Sequence, residues 1–322
     1  MNLKNKNVLV TGGTGFIGSH LVEELILLGA KPITTFLEVS PYSYFASKKL
    51  ENKTVMILAN VNNFEQMKRI ILTQNIDFVF HLAAQALVNI AYLFPQQTIV
   101  DNVLGSTNIL ECLRMFPRVK GVVIASSDKA YGKLTKKKYQ ESDPLHGDHP
   151  YEVSKSAADL ISQAYYKTYN LPVAIARLGN VYGPGDINFS RILPMIFESI
   201  LLDKKLKIRS NGRYKRDYLH VKDVVRGYLL MAERIDSIKG EAFNFGSENN
   251  YTVFELIKIV ESTLGKKVRY EILNNAINEI PYQSLQFSKA KKVLGWRNEE
   301  KMSKSFKNIL TWYNIFFKKY EG

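Results

Sequence analysis

The stretch "HPYEVSKSAAD", residues 149–159, sets Tyr151 and Lys155 four positions apart. On a helix that spacing puts both side chains on one face. An ammonium close to a phenol stabilises the phenolate and lowers the tyrosine pKa. A phenol tuned in this way can take the proton of a substrate hydroxyl while the carbon beneath it gives up a hydride. Upstream, in "VVIASSDKAYG", residues 122–132, an apolar run ends in Ser126 and Ser127, and Asp128 and Lys129 follow at once. A strand end needs neither charge, and burying either without a partner is costly. The bland reading is a solvated turn. The functional reading is a pair of proton-transfer groups at the floor of a site.

A hydride needs an acceptor, and the N-terminal segment "VLVTGGTGFIGSH" offers a place for one. Gly12, Gly15 and Gly18 fall between an apolar run and an amphipathic one. In such a loop the first glycine permits a tight turn, the second lets backbone amides approach a pyrophosphate, and the third lets the helix pack close to the sheet. The helix N-terminus adds free NH groups and a partial positive charge. Phe16 and Ile17 lie in the same loop. The acidic residue that should hold the adenosine ribose falls at or near Phe36, where there is none; Glu38 comes two residues later. No arginine stands there for a 2′-phosphate, so NAD is preferred with NADP left open. Asn60, with Val61 beside it, could reach the adenine edge.

The elements that must hold these residues follow from the pattern. "NVLVTG", "PITTF", "TVMILAN", "DFVFHLAAQ", "GVVIASS" and "PVAIARLGN" read as buried strands. Helical segments alternate with them, among them "GSHLVEELILLG", "FEQMKRIILTQN", a long helix from about Val100 to Met115, and the helix bearing Tyr151. Such alternation predicts an α/β fold, a doubly wound parallel sheet covered on both faces. After about residue 180 the rhythm changes. "RILPMIFESILLD" reads as an interrupted helix and "NGRYKRDYLHVKDVV" as a loop entering a helix. "EAFNFGS" reads as a strand, and Thr252 with Glu255 as a capping box. Met302, Phe306, Ile309, Leu310, Tyr313 and Phe317 share one face of a C-terminal helix, packed or lying on a membrane surface. The expected division is a Rossmann-type dinucleotide-binding domain over 1–180, with returning segments near 217–247, and a smaller substrate-binding lobe over 181–322.

The bulk numbers restrict the class of protein. The 322 residues are 46% hydrophobic and 23% charged, ordinary for a globular chain. No apolar run of about 18 residues predicts a transmembrane helix, and the N-terminus lacks the pattern of a signal peptide. The single cysteine, Cys112, can form no internal disulfide, which suits a reducing cytoplasm. The net charge of +14 could attract nucleic acid. However, the lysines are scattered and no nucleic-acid motif accompanies them, so a phosphate-bearing substrate is the better reading. No metal is expected.

With these motifs in place, the chain resembles the extended short-chain dehydrogenase/reductase family, and within it the nucleotide-sugar epimerases and 4,6-dehydratases. The resemblance runs along nearly the whole chain, through "TGGTGFIGSH", "DFVFHLAAQ", "DNVLGSTNILE", "YEVSK", "RLGNVYGPGD", "RDYLHVKD" and "KAKKVLGW". It implies a substrate-hydroxyl contact at Ser127, a base at Tyr151 and its helper at Lys155. It places Leu82, Ala83, Ala84 and Gln85 beside the cofactor, and Asn102 as a helix residue supporting the active-site water and lysine. It implies Asn180 and Arg216 at the substrate diphosphate, with Arg191 and Arg209 as further contacts. The two positions after the serine are typically small and uncharged in 4-epimerases of this family. They are charged in 4,6-dehydratases, which must remove a C5 proton and expel the C6 hydroxyl. The Asp-Lys pair is most like the CDP-glucose and GDP-mannose dehydratases, with Asp128 as acid and Lys129 as base, or the reverse. A homodimer, paired through the Val100–Met115 helix and the helix bearing Tyr151, is also implied. A 4-epimerase and a non-catalytic dinucleotide-binding protein are the alternatives.

Overall fold

A computed structural model describes residues 1–248, 250–275 and 280–320. Seven parallel strands form the central sheet, in the order Ala242–Phe245, Val173–Leu178, Val122–Ser127, Phe78–His81, Asn7–Thr11, Lys31–Phe36 and Val55–Leu58. The inner strands read as continuous apolar runs because both faces are covered. On one face, Leu21 and Leu25 of helix Phe16–Leu27 and Val224, Tyr228 and Met231 of helix Val221–Glu233 pack on Val10, Phe80 and Val123. On the other, Met67 and Ile70 of helix Phe64–Thr73 and Ile109 and Leu113 of helix Gly105–Met115 pack on Leu9, Val79 and Val122. Helix Pro150–Tyr169 covers the same face.

The last strand of the sheet, Ala242–Phe245, arrives after the chain has left to build the first part of a second lobe. That lobe has its own apolar core. Phe197 of helix Ile192–Leu201, Leu256 and Val260 of helix Val253–Leu264, and Phe306, Ile309, Tyr313 and Phe317 of helix Met302–Tyr320 meet there. The apolar face of the C-terminal helix is thereby covered within the chain, and the membrane-surface alternative for it falls away. No helix among the described residues is long and apolar enough to cross a membrane.

Three local expectations are corrected. The segment around Pro194 is one unbroken helix, Ile192–Leu201. Pro194 sits in its first turn, where backbone NH groups have no intrahelical partner to lose. The segment read as a loop before residue 221 contains the strand Lys215–His220, which pairs with Asn180–Tyr182, Asn250–Tyr251 and Tyr282–Leu285. Its charged start hid it. The long helix begins earlier than expected: Pro95–Ile99 leads into a π-helical turn at Val100–Leu104 and then into Gly105–Met115. The capping box at Thr252 is present, with Thr252 Oγ1 accepting the Glu255 amide at 3.1 Å and Glu255 Oε2 accepting the Thr252 amide at 2.7 Å.

Candidate active site

The chain order of the sheet reverses between Asn7–Thr11 and Phe78–His81. In open parallel sheets ligands bind at such a switch point, outside the carboxyl ends of the strands. A cleft of about 1190 Å³ opens here and extends into the second lobe. Gly12, Gly15, Phe16, Ile17 and Gly18 line its near end. Gly12 has φ +68°, and a Cβ there would stand 2.9 Å from the backbone of Ala83. A Cβ on Gly18 would stand 2.2 Å from the Gly12 carbonyl. Gly15 is different: φ is −72°, and a Cβ would meet only the Gly12 carbonyl, at 3.3 Å. The bare backbone at Gly15 therefore serves the cleft more than the packing. No side chain caps the helix that starts there, so its first NH groups are free for an anion. These residues fit the pyrophosphate of a dinucleotide.

Beyond the glycine loop, Glu38, Asn60, Val61, Leu82, Ala83, Ala84 and Gln85 also line the cleft. Glu38 is exposed, just past the strand end at Phe36, and its carbonyl accepts Thr14 Oγ1 at 3.3 Å. Asn60 Oδ1 accepts the amide of Asn62 at 2.9 Å. Asn102 is buried and stands behind the cleft wall. Its Oδ1 accepts the Gln85 amide at 2.7 Å, while its Nδ2 donates to the Gln85 carbonyl at 3.0 Å and to Ser154 Oγ at 2.8 Å. It ties the 82–85 loop to the helix bearing Tyr151. Beneath the same loop His81 lies between Thr11 Oγ1 at 2.8 Å and Ser106 Oγ at 3.2 Å. Burial, with the Lys155 charge, pushes its imidazole down to about 3, so it stays neutral.

Ser127, Lys129, Tyr151 and Lys155 come together in the wall of the cleft where strand Val122–Ser127 meets helix Pro150–Tyr169. Tyr151 is hydrogen-bonded to Ser127. Burial pushes the Tyr151 phenol up to about 12, against the opposing influence of Arg191 and the Ser127 bond. The expected lowering by Lys155 is not found: desolvation of the buried phenolate is the largest influence on this group. Lys155 Nζ donates to the Ala125 carbonyl at 3.1 Å, and burial pulls the ammonium down to about 8, with Asp159 opposing. Asp128 is buried below the cleft surface and accepts Ser127 Oγ at 3.1 Å. Burial raises its carboxyl above the ordinary value although the Lys129 charge works the other way. The two charges therefore do not form a solvated turn: one lines the cleft and the other is buried behind it.

On the far side, Asn180, Arg191, Arg209 and Arg216 line the cleft. Asn180 Nδ2 donates to the Asp217 carbonyl at 3.2 Å. Arg191 Nη1 reaches both carboxylate oxygens of buried Asp186, each at 3.1 Å. Arg209 donates to the Ser190 carbonyl at 3.2 Å, and Arg216 Nη1 to the Lys215 carbonyl at 2.9 Å. Together they give this end a cationic lining suited to a diphosphate. Among the described residues no group of three His, Cys, Asp or Glu side chains is placed to hold a metal.

Two residues at the site go unmarked by the sequence motifs. Glu152 lines the cleft next to Tyr151, with Oε1 3.3 Å from His149 Nε2 and Oε2 accepting the Asp148 amide at 3.2 Å. Burial works to raise its carboxyl, but these partners and Lys129 outweigh it and leave it below the ordinary value. Pro150 at the first helical position with an acid two residues on was the available clue. Gln283, fully buried on strand Tyr282–Leu285, accepts Lys129 Nζ at 2.6 Å and donates to the Asp128 carbonyl at 3.0 Å. No local pattern marks it.

Comparison with known proteins agrees with this geometry. The profile of the NAD dependent epimerase/dehydratase family matches residues 8–246. The chain is 30% identical to human dTDP-D-glucose 4,6-dehydratase, covering 97% of this chain and 91% of that one. It is also 30% identical to CDP-glucose 4,6-dehydratase of Salmonella typhimurium, over 98% and 92%, and to UDP-glucuronate 4-epimerase of Thermodesulfobacterium geofontis, over 94% and 95%. Among solved structures, UDP-glucose 4-epimerase of Thermotoga maritima with UDP-glucose superposes with a TM-score of 0.87, at 30% identity, covering 97% of this chain and 99% of that one. A dTDP-glucose 4,6-dehydratase of Streptomyces venezuelae with NAD bound gives 0.86, at 26% identity, over 96% and 97%. The glycine cradle, the Tyr151–Lys155 helix and the family match together establish that the chain belongs to the NAD dependent epimerase/dehydratase family, with an extended short-chain dehydrogenase/reductase fold and NAD as its cofactor.

Proposed function

We propose that the protein is a nucleotide-sugar 4,6-dehydratase that forms a 4-keto-6-deoxy sugar. The observation that carries this reading is the Asp128–Lys129 pair directly after Ser127, one member lining the cleft and the other hydrogen-bonded to the Ser127 hydroxyl. NAD, which Gly12, Gly15 and Gly18 would help to hold, would supply a hydride acceptor for C4 and, after the C6 hydroxyl has left, a hydride donor for C6, with C5 taking back a proton. In this reading Ser127 holds the C4 oxygen, and Tyr151 with Lys155 handles the C4 hydroxyl proton. The water lost is made of the C5 proton and the C6 hydroxyl. Lys129 reaches the sugar directly as base. Asp128 holds a proton as acid, communicating with the cleft through Ser127 Oγ. Asn180, Arg191, Arg209 and Arg216 would seat the diphosphate.

A second reading, 4-epimerase, is favoured by one observation: Asp128 does not itself line the cleft. A screen with CDP-glucose, GDP-mannose, dTDP-glucose and UDP-GlcNAc separates the two. Dehydration removes one water, a mass loss of about 18 Da read by mass spectrometry, which is the step that requires an acid and a base. Conversion without change of mass would establish the epimerase instead.

A cytoplasmic homodimer belongs to the same proposal. Leu93, Phe94, Leu104, Val153 and Leu160 are exposed apolar residues on or beside the two helices expected to pair. Light scattering should give twice the mass of the 36.8 kDa chain; a monomer mass throughout a dilution series would remove this part.

A further inference from the structure

Lys129 lies on the turn after strand Val122–Ser127, yet one of its hydrogen-bond partners belongs to the other lobe. Gln283 is 154 residues away in sequence and wholly buried. Its Oε1 accepts Lys129 Nζ at 2.6 Å, and its Nε2 donates to the Asp128 carbonyl at 3.0 Å. One amide thus holds both the side chain of Lys129 and the backbone of the turn that presents it. The strand carrying Gln283 pairs in parallel with Lys215–His220, in a register that sets Gln283 opposite Arg216. Arg216 lines the far end of the cleft. The residue that orients Lys129 and a residue placed for an anionic substrate are therefore neighbours on one small sheet.

We propose that Gln283 is a positioning residue for elimination: it fixes the direction and protonation of Lys129 and joins that lysine to the sheet that seats the substrate phosphates. The proposal rests on the dehydratase reading. An uncharged amide suits the place. The charged and titratable groups around this turn are Asp128 and Tyr131 on the turn itself, His149 at the cap and Tyr151 and Glu152 in the first turn of the facing helix, Lys138 and Tyr139 on the strand paired with Tyr282–Leu285, and Arg216 and Asp217 on strand Lys215–His220. Carboxylates already flank the turn on two sides. A neutral acceptor directs the ammonium without adding a further charge, so the lysine remains able to exchange its proton within a turnover.

The test compares NAD-loaded wild type, Gln283→Met and Gln283→Glu. The substrate is whichever of CDP-glucose, dTDP-glucose, GDP-mannose and UDP-GlcNAc the wild type dehydrates. Gln283→Met removes the acceptor, and water loss should slow on the order of a hundredfold. The absorbance of reduced nicotinamide in a single turnover, which reports sugar oxidation, should still rise at the wild-type rate and confirms that the variant is folded. Gln283→Glu keeps size and acceptor but adds a charge that favours the ammonium. The limb of the pH–rate profile for water loss that belongs to Lys129 should move to higher pH in Gln283→Glu and to lower pH in Gln283→Met. Opposite shifts are not the signature of a residue that merely packs. If both variants keep the wild-type rate and profile, or both slow equally without moving the limb, the Gln283 assignment is wrong while the dehydratase reading stands. If the wild type dehydrates none of the four sugars, the dehydratase reading falls and this assignment falls with it.

Discussion

Asp159 accepts Arg177 through both carboxylate oxygens, at 2.8 and 2.9 Å, and both residues are almost wholly buried. The same carboxylate accepts Ser126 Oγ at 2.8 Å, and Arg177 Nη1 donates to Tyr131 Oη at 2.8 Å and to the Glu141 carbonyl at 3.0 Å. Ser126 precedes Ser127, and Tyr131 closes the Asp128–Lys129 turn. This pair is thus the anchor under the proposed catalytic segment. Removing one partner strands a buried charge, which typically costs about 3–5 kcal/mol. Arg177→Met should show a loss of that size in urea denaturation. A loss below about 1 kcal/mol, the range of a surface pair, would mean the pair is far less isolated from water than its burial indicates.

The glycine loop makes a contrast that can be measured. A methyl at Gly18 collides with the Gly12 carbonyl, so Gly18→Ala should lower the thermal midpoint of the NAD-free protein. At Gly15 the backbone angles suit any residue and the space on the protein side is nearly sufficient. Gly15→Ala should therefore leave the midpoint close to wild type while weakening NAD binding in calorimetry. Equal loss of stability in the two variants would show that Gly15 serves packing instead.

Lys155 predicts a pH dependence. Folded, its ammonium is held down to about 8 from an ordinary 10.5. Between those values the unfolded chain binds more protons than the folded one, so this residue makes stability rise as pH increases above about 8. Buried phenols such as Tyr228 are pushed up from 10 and work in the opposite sense above that value. The useful window is therefore pH 8 to 10. Lys155→Met should flatten the rise in unfolding free energy across it, and an unchanged slope would assign the rise to other groups.

Oxidation and elimination should separate by mutation. Tyr151→Phe removes the hydroxyl on the oxidation side, so nicotinamide reduction and product formation should fall together, each by about 10²–10⁴. Lys129→Met leaves Ser127, Tyr151 and Lys155 in place. Reduced nicotinamide should then accumulate while water loss stalls by a similar factor. Full turnover by Lys129→Met would return Asp128 and Lys129 to a purely structural role.

What could be read from the sequence and what could not divide along physical lines. The glycine loop, the strand runs and the Tyr151–Lys155 spacing are local: each depends on a period or a backbone conformation written within a dozen residues. Gln283 and the Asp159–Arg177 anchor depend on contacts across many residues, and "YQSL" carries no strong strand pattern, so nothing near residue 283 announces a partner at 129. The strand Lys215–His220 was missed for the opposite reason. Its charged start, Lys215 and Arg216, is half-buried and Arg216 lines the cleft, so part of the feature that disguises it as a loop comes from its place in the site. Even a correct local reading misjudged Tyr151. The sequence showed the lysine but not how completely the fold would bury the phenol.

The place of strand Ala242–Phe245 at the end of the sheet makes the two lobes inseparable in biosynthesis. Its neighbour Val173–Leu178 is buried along its whole length, and it keeps one open edge until some 64 further residues have been made. A nascent chain that stops near residue 180 carries an unpaired hydrophobic edge, the feature that recruits other strands in aggregation. The proposed cofactor-binding half should therefore not be recoverable as a soluble fragment ending there, and ribosome-bound chains should become resistant to protease only once residue 245 has cleared the exit tunnel.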